Sequence, residues 1–110
     1  MSKPGRARYR LAEVHAQYAE AVGGDDVEFE GPGGEVFTMP HPLFADDEWG
    51  QAVDAEETGA GKARAMLGDE QFDRFIKAGG RPADVNLLFG FLTSSIGEQV
   101  KGVKVRPTRS

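Results

Sequence analysis

The sequence predicts an α+β domain, mainly helical, with one β-hairpin in its N-terminal half packed on about four or five helices. Three observations carry this. Between Asp69 and Val100, the residues Val85, Leu88, Phe89, Leu92 and Ile96 step by three, four, seven and eleven, on one side of a helix turning about 100° per residue. Near the N-terminus, Leu11, Val14, Tyr18 and Val22 repeat that spacing. Between these two stretches, VEFEGPGGEVFTM alternates in polarity on either side of a glycine–proline turn, the pattern of a hairpin.

Taken in order, residues 1–7 read as a flexible arm broken by Pro4 and Gly5. Helix-favouring residues predict the first helix from Arg8 to Val22, ended by Gly23 and Gly24. In the hairpin, Val27 and Phe29 alternate with Glu28 and Glu30, and Val36 and Thr38 with Phe37 and Met39. A two-stranded ribbon is marginal in water, so it either lies against the helices or pairs its open edge with another subunit. Pro40 and Pro42 predict an extended connector that brings Leu43 and Phe44 to the core. Asp46 or Asp47 is placed to cap a short acidic helix carrying Trp49 and Val53. Thr58 to Gly61 reads as a loop, Lys62 to Leu67 as a short helix stopped by Gly68, and Asp69 as the cap of a helix with Phe72, Phe75 and Ile76 on its apolar face. Gly79 and Gly80 end that helix, and Pro82 opens the last and central one, to about Gln99. Residues 8–100 are thus one domain, and residues 101–110 a basic tail. In that tail Val103 and Val105 alternate with bases, so it reads as a flexible segment or an added strand.

The balance of 18 acids to 13 bases gives a net charge of -5 and argues against a general nucleic-acid binder, which needs clustered positive charge. The bases gather at the ends, as Lys3, Arg6, Arg8 and Arg10 and as Lys101, Lys104, Arg106 and Arg109. They read as solvated tails, or as an arm for an acidic partner or nucleic acid. There is no cysteine, so disulfides and thiolate metal sites are excluded. No apolar run approaches the ~20 residues of a membrane span, and MSKPGRARYR does not read as a signal peptide.

Chemical motifs are weak. GAGK, Gly59 to Lys62, lacks the first glycine of a phosphate loop, where Glu56 stands, and its hydroxyl, where Ala63 stands. His41 precedes Asp46, Asp47 and Glu48, but one imidazole with loop carboxylates is a poor metal pattern. His15 is expected to border the first helix's apolar stripe, partly buried. Ser94 and Ser95 have no base near them in sequence. No catalytic residue, cofactor or metal site is expected. The informative feature is an excess: Leu87 and Phe91 lie opposite the main stripe of the last helix. A helix that is apolar on two sides must bury both, and a chain of 110 residues has little to cover the second. Either the first helix or the hairpin covers them, or they meet another protein.

At LGDEQFDRFIKAGGRPADVNLLFGFLTSSIGEQ and at the hairpin and connector VEFEGPGGEVFTMPHPLF, the sequence resembles the tail assembly chaperones of long-tailed (siphovirus-type) actinobacterial phages, from Val27 to Gln99. The resemblance implies a non-enzymatic protein of the host cytoplasm. Such a protein binds the helical tape-measure protein, keeps it soluble, and helps recruit tail-tube subunits. The contact positions implied are Leu87 and Phe91, then Phe72, Phe75 and Trp49, a choice that rests on helix geometry. Self-association is a further expectation. Two other classes fit the chain: a virion subunit such as a head-to-tail connector, and a small regulatory or DNA-contacting protein using the basic termini.

Overall fold

The computed structural model describes residues 7–108, so the expected N-terminal arm falls almost entirely outside them. The α+β reading holds. Helix α1 (Leu11–Val22) leads into strands β1 (Asp26–Glu30) and β2 (Val36–Pro40), and four helices follow: α2 (Asp47–Asp54), α3 (Gly59–Leu67), α4 (Asp69–Lys77) and α5 (Pro82–Gln99).

The hairpin has the register that its alternation requires. Val27 faces Met39 and Phe29 faces Phe37, so all four share one face. Phe37 and Met39 are fully enclosed there. The turn is a single 3-10 turn over Pro32–Gly34, with Gly33 at φ 75° and Gly34 at φ 82°, values that glycine adopts without strain. Phe37 sits 5.8 Å from the ring of Phe29 and edge-on to Phe75 at 5.4 Å, which ties the hairpin to α4.

The centre is α3 rather than α5. It touches α2, α4, α5 and β2, and Ala63, Met66 and Leu67 are buried along it. Its start differs from the expected one: Thr58 accepts a hydrogen bond from Gly61 N–H at 3.0 Å, so the segment read as a loop is the first turn of the helix. Polar side chains fasten the neighbours to its ends. The Trp49 indole donates to Met66 O at 3.2 Å, Lys62 Nζ to Val53 O at 3.2 Å, and Asn86 to Gly59 O at 2.9 Å. Asp46 caps α2 by accepting from Trp49 N–H at 2.8 Å. The α4–α5 junction closes tightly: Gly80 N–H reaches Phe75 O at 2.8 Å and Gly79 N–H reaches Ile76 O at 2.9 Å, with Gly79 at φ 94°. A side chain at position 80 would strike the Phe75 ring.

Helix α1 starts at Leu11, later than expected, and buries no residue fully. It lies along the end of α5, and Leu11 is 83% exposed. The molecule is accordingly long, 65 × 28 × 22 Å, with a radius of gyration of 17.8 Å where a compact chain of this length has about 13 Å. The tail returns to α1, with Thr108 N–H bonded to Arg8 O at 2.6 Å.

Two expectations for the connector change. Leu43 and Phe44 are only half-buried, and His41 fills the core position, 1% exposed. Its backbone explains the placement: its N–H continues the hairpin to Asp25 O at 2.8 Å, and its C=O accepts from Phe44 and Ala45, which bends the chain. His15 is exposed rather than partly buried beside the apolar stripe of α1. It pairs with Asp25 at 2.9 Å and stacks on Phe44 at 4.3 Å.

His41 Nδ1 accepts from Leu43 N–H at 3.1 Å, so the neutral ring carries its proton on Nε2, which has no partner among the described residues. Desolvation lowers its pKa below 6.5. Below pH 6.5 the unfolded chain therefore binds a proton that the folded chain refuses, and stability falls as pH falls, by at most about 1.4 kcal/mol per unit. Urea unfolding at pH 7.5 and 5.5 is expected to show this loss. His41→Asn, which keeps an acceptor for Leu43 N–H, is expected to show a smaller one.

Candidate protein-interaction surface

Helix α5 places its residues as the spacing predicts. Val85 and Leu92 are buried at 1% and 8%, with Leu88 and Phe89 packed partly against the core. On the outer side Leu87 is 71% exposed and Phe91 63% exposed, so neither α1 nor the hairpin covers them. From Val85 to Gly97 the helix has no charged residue. Its hydroxyls turn inward on their own backbone: Thr93 donates to Gly90 O at 3.0 Å and Ser94 to Phe91 O at 3.1 Å. That removes most of their polarity from the face.

A cleft of about 450 Å³ flanks this face, walled by Phe29, Pro32, Phe75, Val85 and Leu88, with Arg81 and Asp84 at its mouth. Leu87 and Phe91 stand one turn beyond Asp84 and Leu88, three residues on in each case, so the exposed pair adjoins the cleft, with Asp84 between the cleft and Leu87. On the other flank of α5, a groove of about 440 Å³ is floored by Trp49, Val53 and Phe89 and rimmed by Asp46, Asp47 and Asp54.

The structure therefore separates the five candidate contact residues. Leu87 and Phe91 are surface. Phe72 and Phe75 are core, 6% and 3% exposed, which corrects their assignment as contact positions. The reason is that α3 packs on α4 from one side and the hairpin aromatics Phe29 and Phe37 from the other, so the aromatic face is covered. Arg64 also lies over the Phe72 ring at 4.6 Å. Trp49 is intermediate: its indole N–H is used internally, its ring lies 5.9 Å from Phe89, and one side of it floors the groove. Sequence reasoning missed Tyr9 and Val36, each 50% exposed, and placed Leu11 on a packed stripe. Val36 shares the solvent face of the hairpin with Thr38, whereas Leu11 has the spacing of a packed stripe and only the long-range arrangement leaves it outside.

Among the described residues no group of three or more His, Asp or Glu side chains is arranged to hold a metal ion. No described helix is long and apolar enough to cross a membrane. Comparison of the chain with protein-family models, curated proteins and solved structures gave no match.

The division between core and surface has a direct readout. Phe75→Ala removes a ring enclosed by Phe29 and Phe37 and is expected to cost about 3–5 kcal/mol in urea unfolding. Leu87→Asp and Phe91→Asp, at exposed positions, are expected to change stability by no more than about 0.5 kcal/mol.

Proposed function

We propose that this chain is a non-enzymatic protein-binding factor that takes an apolar partner segment on the strip formed by Leu87, Phe91 and the adjoining cleft. In the setting that its sequence resembles, it is a tail assembly chaperone of long-tailed actinobacterial phages, working in the host cytoplasm. Its clients there are the tape-measure protein and tail-tube subunits. The observation that carries the reading is the exposure of Leu87 and Phe91 on an uncharged helix face.

The chemistry suits a chaperone for a helical client. An amphipathic helix offers apolar side chains three and four residues apart, and a strip of the same spacing accepts them. Covering one such side chain fully is worth about 1.5–3 kcal/mol, and ordering the interface takes part of that back. Two side chains thus hold a client segment weakly and let it go, as a factor that leaves the finished particle must. The net charge of -5 keeps the protein in solution while it presents the strip.

Coexpression with the tape-measure protein of such a phage tests this. The wild-type chain is expected to keep the client in the soluble fraction and to co-purify with it. Leu87→Asp or Phe91→Asp is expected to weaken the complex by about 2 kcal/mol, roughly 30-fold, while the fold persists. A client retained equally by the charged variants, or the chain persisting in purified virions, would count against the proposal.

A further inference from the structure

We propose that the outer edge of β1 is a docking edge for the C-terminal segment of a second copy of this chain, which adds to the hairpin as a third strand. The two edges of the hairpin are treated differently. On β2, the Gln71 side chain acts as a surrogate strand: its Oε1 accepts from Thr38 N–H at 2.9 Å and its Nε2 donates to Thr38 O at 2.8 Å. Pro40 has no N–H to offer on that edge. The β2 edge is thus closed at Thr38 and Pro40.

The β1 edge is open. Backbone bonds join Asp25 to His41 and Gly31 to Glu35 at the two ends of the ladder. In an antiparallel pair such bonded pairs alternate with unbonded ones, so the N–H and C=O groups of Asp26, Glu28 and Glu30 point away from β2. Among the described residues no hydrogen bond reaches them, and all three side chains are exposed and acidic. An unpaired edge with its backbone groups free is a template for another strand.

The tail is a strand without a sheet. Val103 and Val105 are half-buried while Gly102, Lys104 and Arg106 are exposed, the two-residue alternation of an extended chain. The N–H groups of Lys104, Val105 and Arg106 have no partner among the described residues. Its pattern is the charge complement of β1. Set antiparallel, Lys104 faces Glu28 and Arg106 faces Asp26 on the solvent side, while Val103 and Val105 extend the row of Phe29 and Val27. Pro107 then falls opposite Asp25, where the added strand uses no N–H.

The tail runs along α1 of its own chain, from Gly102, Val103 and Lys104 beside Gln17, Glu20 and Ala21 toward the start of the helix and away from its own β1, so the strand on this edge comes from another copy. Thr108 is tied to Arg8 at the start of α1, and β1 begins beyond the other end. The 12 residues of α1 separate them by about 18 Å. Reciprocal exchange closes a two-fold dimer in which each copy both gives and receives a strand.

Sedimentation equilibrium of the full chain tests the proposal. The wild type is expected to dimerise. The double variants Asp26→Lys with Glu28→Lys, and Lys104→Glu with Arg106→Glu, each remain folded by circular dichroism and self-associate at least about tenfold more weakly. Mixing the two restores a heterodimer. Leu87→Asp dimerises like the wild type, which separates this edge from the α5 strip. A wild type that stays monomeric at its solubility limit overturns the proposal. So do charge-reversed variants that associate as tightly as the wild type, a mixture that fails to restore pairing, or loss of the dimer in Leu87→Asp.

Discussion

A two-stranded ribbon buries one face, leaves the other in water, and is marginal by itself. Here it depends on α4, a helix of nine residues that grips it in three ways. Phe75 stands edge-on to Phe37 and Phe29 and fills the inner face. Arg74 reaches Glu35 beside the turn and lies over the Phe37 ring at 5.1 Å. Gln71 satisfies both backbone groups of Thr38 and also donates to Leu67 O at 2.9 Å, which joins β2, α3 and α4 at one amide. The apolar contact supplies most of the stabilisation. The amide decides direction, because it fixes which edge of the ribbon is finished and which is not.

The exposed strip on α5 follows from the same packing. Helix α3 is short and carries the fully enclosed Ala63, so α2, α4 and α5 close around a thin centre. A thin centre gives α5 only a narrow line of contact, taken by Val85 and Leu92 with Leu88 and Phe89 at its margins. Helix α1 is the remaining element able to cover the other side of α5, and it is drawn off the end by its junction with β1 and by the returning tail. The apolar excess of α5 is therefore a result of where α1 is anchored, not of a core too small in volume.

Much of this was legible in the sequence. The hairpin and its register follow from Val27, Phe29, Phe37 and Met39. The two faces of α5 follow from helical spacing alone, which is why Leu87 and Phe91 were identified as surplus. What was not legible depends on distant partners. Phe72 and Phe75 have the same spacing whether a hairpin covers them or solvent does, so sequence could not separate core from contact. The burial of His41 arises from a backbone bond that extends the ladder past Pro40, and nothing in its side chain announces that. Thr58 was readable as a cap, but the glycines of GAGK mask the helix that follows it. Gln71 looks like any solvent-facing helix residue until the strand beside it is known.

Two surfaces with different physics sit on one small body. A specific, lasting interface covers about 800 Å² per partner, roughly a tenth of this chain's 7770 Å². The proposed strip centres on two exposed side chains, Leu87 and Phe91, so a single copy would hold a partner only loosely. The β1 edge, as proposed, would recognise through backbone hydrogen bonds and acidic side chains, which suit an extended basic strand rather than an apolar helix. Use of one surface leaves the other free. In the proposed dimer, a pair of chains joined at β1 would present two α5 strips, and the second would bind at the high effective concentration set by the first. If the proposed dimer forms, a helical client meeting both strips would be held by two weak contacts that release one at a time.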